Sequence, residues 1–180
     1  LFNSIVLVEK GKWSIVARKI ILPTYEVFDE KRYFRSENKV AILHKKNKNK
    51  VWKIGITICE DLWVNYDIEG RGKHKKNPIN DLEKKGIDFL LNLSASPFTF
   101  EKLESRIKIS SNAANYLKKP IIYLNQVGGN DDLIFDGNSF ILDKQGLKSK
   151  QLKSFEEDFY CWNANENNSH LLKERPISKF

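Results

Sequence analysis

Val51-Trp52-Lys53-Ile54-Gly55-Ile56-Thr57-Ile58-Cys59-Glu60-Asp61 reads as one strand running into a turn. Its β-branched and aromatic residues favour extended backbone, and alternation puts Trp52, Ile54, Ile56 and Ile58 on one face. Val51, Lys53, Gly55, Thr57 and Cys59 share the other. The Trp/Ile face is the expected core side, so Cys59 should end the strand on the less apolar side. Glu60 and Asp61 suit a first helical turn. A thiol at such a junction is well placed for chemistry, because exposed amides lower its pKa and can hold an oxyanion. On these residues alone, an inert packed thiol stands open beside the nucleophile.

Working outward, residues 4–9 and 13–18 read as strands around a Lys10-Gly11-Lys12 turn, and Lys39 to Leu43 as a short strand. Residues 64–77 are polar and form a surface excursion. Pro78 to Lys85 is a short helix stopped by Gly86. Ile87 to Leu93 is near-continuously apolar, as a strand buried on both faces would be. Ser94-Ala95-Ser96-Pro97 breaks it. Phe100, Leu103, Ile107, Ala114 and Leu117 then recur at near-helical spacing, with Glu104 and Lys108 paired on another face. Pro120 ends that helix, Ile121 to Leu124 resumes the sheet, and residues 133–142 form strands around Asp136-Gly137-Asn138. Strands alternating with helices indicate an α/β sheet protein. The expected domain covers residues 1–146, with 147–180 a polar tail or the start of a linker.

Composition narrows the classes. The 180 residues, 41% hydrophobic and 12% aromatic, describe a folded globule. The formal charge of +8 comes mostly from short polar stretches such as Lys45-Lys46-Asn47-Lys48 and Lys73-His74-Lys75-Lys76, which read as solvated loops. The Phe and Trp residues mostly fall on expected core faces, so nucleic acid is not an expected partner. No apolar run approaches the roughly 20 residues of a membrane helix. Two cysteines without a pairing pattern fit a reduced, cytoplasmic setting. Cys161 reads as packing or incidental. His44, His74 and His170 sit in dissimilar contexts and suggest no metal site. No glycine-rich phosphate loop appears. The chain lacks Met and opens on a strand-like Leu1 to Val8, so the natural start is expected further upstream.

The decisive string is Arg18-Lys19-Ile20-Ile21-Leu22-Pro23-Thr24-Tyr25-Glu26-Val27-Phe28-Asp29-Glu30-Lys31-Arg32-Tyr33-Phe34. It resembles the lysine segment of the nitrilase (carbon–nitrogen hydrolase) superfamily and, more narrowly, that of the glutaminase domains of glutamine-dependent NAD⁺ synthetases. The resemblance continues through Ile58-Cys59-Glu60-Asp61-Leu62-Trp63 and Asn92-Leu93-Ser94-Ala95-Ser96-Pro97-Phe98. It extends to Asn125-Gln126-Val127-Gly128-Gly129-Asn130-Asp131 and Phe135-Asp136-Gly137-Asn138-Ser139.

This resemblance implies an αββα sandwich, represented here without its first strand and helix, and a Glu-Lys-Cys site. Cys59 would attack the side-chain amide of L-glutamine, forming a thioester and releasing ammonia. Lys19 and the backbone N–H of Glu60 would hold the oxyanion, and Glu30 would position the lysine. Tyr25, Ser96 and Lys102 match glutamine-binding positions. Turn chemistry before Pro97 is the alternative for Ser94 and Ser96, and a solvated helix position that for Lys102. No cofactor is implied in this domain. ATP and Mg²⁺ would serve a synthetase domain absent from the chain, the implied partner, with Gln126 to Asp131 a candidate ammonia-channel loop. A homo-oligomer is also implied. The family's general-base glutamate precedes the lysine; Glu9, beside the Lys10-Gly11 turn, does not match it. A stand-alone amidase and a non-catalytic remnant are the alternatives.

Overall fold

The computed structural model describes residues 1–24, 28–47, 50–63 and 76–165. Its first element is the expected hairpin, β1 (Ser4–Glu9) and β2 (Lys12–Arg18). Lys10 and Gly11 close it at φ +51° and +72°. Two successive left-handed residues are what a two-residue loop needs to follow the right-handed strand twist. A short helix α1 (Glu30–Tyr33) follows, then β3 (Ala41–Asn47) and β4 (Lys50–Ile58). β3 runs on through Lys45 to Asn47, since charged and polar residues such as the exposed Lys46 suit an edge strand. Cys59–Leu62 forms a 3₁₀ turn.

Helix α2 (Pro78–Lys85) starts where Asn77 caps the Asn80 amide at 3.1 Å, and ends at Gly86, φ +67°. β5 (Phe89–Ser94), α3 (Lys102–Leu117) and β6 (Ile121–Asn125) complete two parallel crossovers. β7 (Val127–Asn130) and β8 (Leu133–Asp136) pair as a hairpin. β9 (Phe140–Leu142) and β10 (Lys148–Gln151) return to the main sheet, whose order is β10-β9-β6-β5-β4-β3.

Four expectations need correction. The strands at 133–142 do not pair around Asp136-Gly137-Asn138. β8 joins β7 while β9 pairs with β6, so the Gly137–Asn138 turn, at φ +63° and +52°, switches the chain between sheets. Residues 148–151, assigned to the polar tail, pair with β9 as β10. Phe100 precedes α3 and is 91% exposed instead of joining its apolar stripe.

The fourth concerns the core. Thr57, Asn92 and Tyr123 lie side by side on β4, β5 and β6, as do Gly55, Leu90 and Ile121. The main apolar cluster forms on this face. It takes Leu90, Ile121 and Tyr123 from the sheet, Ile79 and Leu82 from α2, and Ile109, Ala113, Ala114 and Leu117 from α3. The helices therefore cover the Gly55/Thr57 side, not the Trp/Ile side. Alternation shows which residues share a face, but helix packing also demands small residues there. A Cβ at Gly55 would sit 2.8 Å from Ile87 Cδ1. Ile56 and Ile58 are nonetheless buried on the second face, where Trp52, Phe89 and Trp162 meet in tilted and edge-on ring contacts.

Candidate active site at the end of the parallel strands

Three parallel strands deliver their carboxyl ends to one place, where open α/β sheets bind ligands. β4 ends at Ile58, and the next residue, Cys59, adopts φ +47°. A non-glycine residue in this region costs about 1 kcal/mol or more, and such strain collects at functional sites. The kink breaks the strand and starts the 3₁₀ turn, leaving Cys59 half-buried while Glu60, Asp61 and Leu62 go inside. Glu60 accepts the Trp63 amide at 2.9 Å through its backbone carbonyl.

The Lys19 segment enters from the other side. Beyond β2, the Lys19 amide donates to Asn3 O at 2.8 Å, and Lys19 O accepts from the Glu37 amide at 3.0 Å. These bonds fix the backbone, and the side chain turns inward to 2% exposure. Its ammonium meets Glu30 Oε1 at 2.5 Å. Glu30 opens α1, and its own amide is held by Pro23 O at 3.0 Å. A buried ammonium demands such a partner, because desolvation without one costs several kcal/mol.

Asp61 ties the two segments together. One carboxylate oxygen accepts the amides of Ile20 at 3.0 Å and Ile21 at 2.7 Å, and the other accepts Ile58 N at 3.1 Å. Burial nevertheless pushes this carboxyl up to about 6 against those three hydrogen bonds.

From β5, Asn92 accepts the Thr57 hydroxyl at 2.8 Å and donates to Ser94 Oγ at 2.8 Å. Ser94 is also among the groups that act on the Cys59 thiol. Burial pushes that thiol upward, the Lys19 ammonium opposes the rise, the Glu30 carboxylate adds to it, Ser94 lowers it and Asp61 raises it. The net direction is up, contrary to the activation expected of a strand-end thiol, because desolvation outweighs the single cation. Tyr123, buried beside Cys59, Ser94 and Ser96, has its phenol pushed up by desolvation for the same reason.

Ser96 sits in the loop after β5. Asn125 Oδ1 accepts its amide at 2.9 Å, and Arg106 Nε donates to its hydroxyl at 3.1 Å. Arg106 is 1% exposed and spends all its donors here. It reaches both Asp136 oxygens at 2.8 and 3.0 Å, Ser96 O at 2.8 Å and Pro97 O at 2.9 Å. Lys102 begins α3 with its ammonium 5.1 Å from the Trp63 ring centroid. This contact sets its half-buried side chain beside the end of the Cys59–Leu62 turn.

Of the expected site residues, Lys19 and Glu30 are paired, Cys59 and Glu60 share the turn that Asp61 ties to the Lys19 segment, Lys102 lies against Trp63 at the end of that turn, and Ser96 is held by Arg106 and Asn125 in the loop after β5. Tyr25 falls outside the described residues. Glu9 lies on the hairpin with its side chain 57% exposed and paired to Lys45 at 2.8 Å, far from a buried general base. Cys161 is exposed. Among the described residues no group of three or more His, Cys, Asp or Glu side chains could hold a metal ion. Asp61, Asn92, Arg106 and Tyr123 were missed in the sequence reading. A charged Arg106 on the Leu103/Ser110/Ala113/Leu117 stripe was the legible signal for one of them.

The comparisons agree with this layout. The carbon–nitrogen hydrolase family model matches residues 1–161. The glutamine-dependent NAD(+) synthetase of Synechocystis sp. is 46% identical over 158 residues, 88% of this chain but 28% of that protein. The structure of glutamine-dependent NAD+ synthetase from Acinetobacter baumannii superposes with a TM-score of 0.72 at 36% identity, covering 88% of this chain and 27% of that one. A carbon–nitrogen hydrolase from Helicobacter pylori G27 follows with a TM-score of 0.66 at 25% identity, covering 87% and 54%. The chain therefore spans little more than a quarter of the synthetases it resembles. Its match over residues 1–161, with a six-stranded mixed sheet bearing the nitrilase-type α/β fold, makes it a member of the carbon–nitrogen hydrolase family.

Proposed function

We propose that the protein hydrolyses the side-chain amide of L-glutamine and that its ammonia serves ATP-dependent NAD⁺ synthesis elsewhere in the same polypeptide. The observation that carries this reading is a buried lysine, paired to Glu30, whose segment is tied to the Cys59 turn forty residues away by the hydrogen bonds of Asp61. Cys59 sulfur, as thiolate, adds to the amide carbon. The negative oxygen that forms is met by the Lys19 ammonium and the Glu60 amide. Collapse expels ammonia, which takes up the proton removed from the thiol, and leaves a γ-glutamyl thioester. Water then releases glutamate and restores the thiol.

The upward-shifted thiol needs a base for this, and the family resemblance puts that glutamate ahead of Lys19 in the longer polypeptide. Glu30 is engaged by Lys19 and serves to aim it. Ser96 and Lys102 offer a hydroxyl and a cation to the α-amino acid end of glutamine, with Tyr25 the third member. ATP and Mg²⁺ belong to the synthetase portion, and the assembly is a cytoplasmic homo-oligomer. No helix among the described residues is long and apolar enough to cross a membrane.

The test compares ammonia release from glutamine and from simple alkylamides by the full-length protein. Glutamine should be preferred by at least about a hundredfold in kcat/KM, and Cys59→Ala should abolish turnover. Preference for an alkylamide would convert the reading to a stand-alone amidase.

A further inference from the structure

We infer that Asp61 is a positioning residue that holds the Lys19 segment in register with the Cys59 turn. This rests on the reading of Lys19 and Cys59 as partners. Lys19 and Cys59 approach from different elements, and among the described residues no strand pairing joins the two segments. β2 belongs to the hairpin, whereas β4 belongs to the main sheet. What spans the gap is a carboxylate 1% exposed. It grips Ile20 and Ile21 immediately after the lysine, and Ile58 immediately before the cysteine. Three amides flanking the two reactive side chains are thereby fixed to one rigid, planar group.

A carboxylate suits this task better than any neutral side chain. It accepts on both oxygens and has no hydrogen to present to a backbone amide. Asparagine in the same volume would direct its NH₂ group against either the Ile20/Ile21 pair or Ile58. One segment would be released whichever way the amide faced. A misplacement of the order of an ångström is enough to cost about a hundredfold when the lost interaction is with a transition state. Asp61 touches neither substrate nor sulfur in this role; it acts through Lys19.

The experiment compares Asp61→Asn and Asp61→Glu in the full-length protein, each alone and with Lys19→Ala. Hydrolysis is measured on whichever amide the wild-type protein cleaves. A change of preferred amide would refute the glutamine assignment without touching this one. Expected is a fall in kcat of at least about thirtyfold at KM within threefold of wild type. Alkylation of Cys59 by iodoacetamide, which forms no oxyanion, should stay within threefold at its high-pH plateau, where the thiol is ionised whether or not the Lys19 charge is in place. In the Lys19→Ala background either Asp61 substitution should add less than threefold, since its effect passes through the missing ammonium. Full additivity with Lys19→Ala, or activity within threefold of wild type in a folded variant, would overturn the inference. So would failure of both variants to fold, which would assign Asp61 to stability alone.

Discussion

Replacing Arg106 with Met should be the most damaging change outside the reacting groups, and its magnitude follows from the bonds it removes. The guanidinium donates to both Asp136 oxygens, to Ser96 Oγ, to Ser96 O and to Pro97 O. Met fills much of the volume but donates nothing. Asp136, 2% exposed, would keep only the Asn138 amide, 2.8 Å from its second oxygen. Leaving one partner of a buried pair typically costs about 3–5 kcal/mol. At roughly 2–4 °C per kcal/mol for a domain of this size, the unfolding temperature should fall by about 6–20 °C. Thermal unfolding followed by circular dichroism measures this, and a cycle with Asp136→Asn isolates the pair. The two substitutions should couple by about 2 kcal/mol or more, the double variant being less damaged than the sum. Additivity within about 0.5 kcal/mol, or a shift under about 2 °C for Arg106→Met, would refute the reasoning.

Other consequences can be checked separately. Lys19→Gln keeps a hydrogen-bond donor but removes the charge that the proposed mechanism sets against the oxyanion, so kcat for the amide should drop about 10²–10³-fold in steady-state assays. Gly146→Ala should destabilise by about 1–3 kcal/mol in denaturant titration, because φ is +75° there and the new Cβ would lie 2.8 Å from Ser111 O on α3. Asp61 titrates at about 6 in the fold against an ordinary 3.8. A raised folded pKa means a contribution fully present below the lower value and lost as pH rises through the higher one. Relative to wild type, Asp61→Asn should therefore gain stability between pH 4 and 7, by up to about 3 kcal/mol at ~1.4 kcal/mol per unit. Unfolding curves across that range measure the gap, and a pH-independent gap would contradict the assignment.

Much of this was legible beforehand because local rules and tertiary packing agree. Lys10-Gly11, Asn77-Pro78 with Gly86, and the apolar run ending at Leu93 each specify their element through backbone conformation or periodicity. Family resemblance picked out Lys19, Glu30 and Cys59, but the Lys19–Glu30 pairing and the Asp61 link between the Lys19 and Cys59 segments are tertiary contacts that no local pattern encodes. The covered face of β4 was misread because Ile residues suit either layer of a sandwich, whereas the need for Gly55 and Thr57 arises only once α2 and α3 are in place. The strand exchange at Gly137 was missed for a similar reason. Turn residues specify a reversal, not the neighbour to which the next strand returns. Asp61 was invisible as a link because all three of its donors are backbone amides, two of them forty residues away.

The most direct measurement is acid-quench mass spectrometry of the full-length protein mixed with glutamine, followed by peptide mapping. A γ-glutamyl adduct should appear on the peptide containing Cys59 during turnover, accumulate when the deacylating base is removed, and be absent from Cys59→Ala. Continued glutamine hydrolysis by Cys59→Ala, or an adduct confined to the Cys161 peptide, would contradict the assignment of position 59 as the nucleophile.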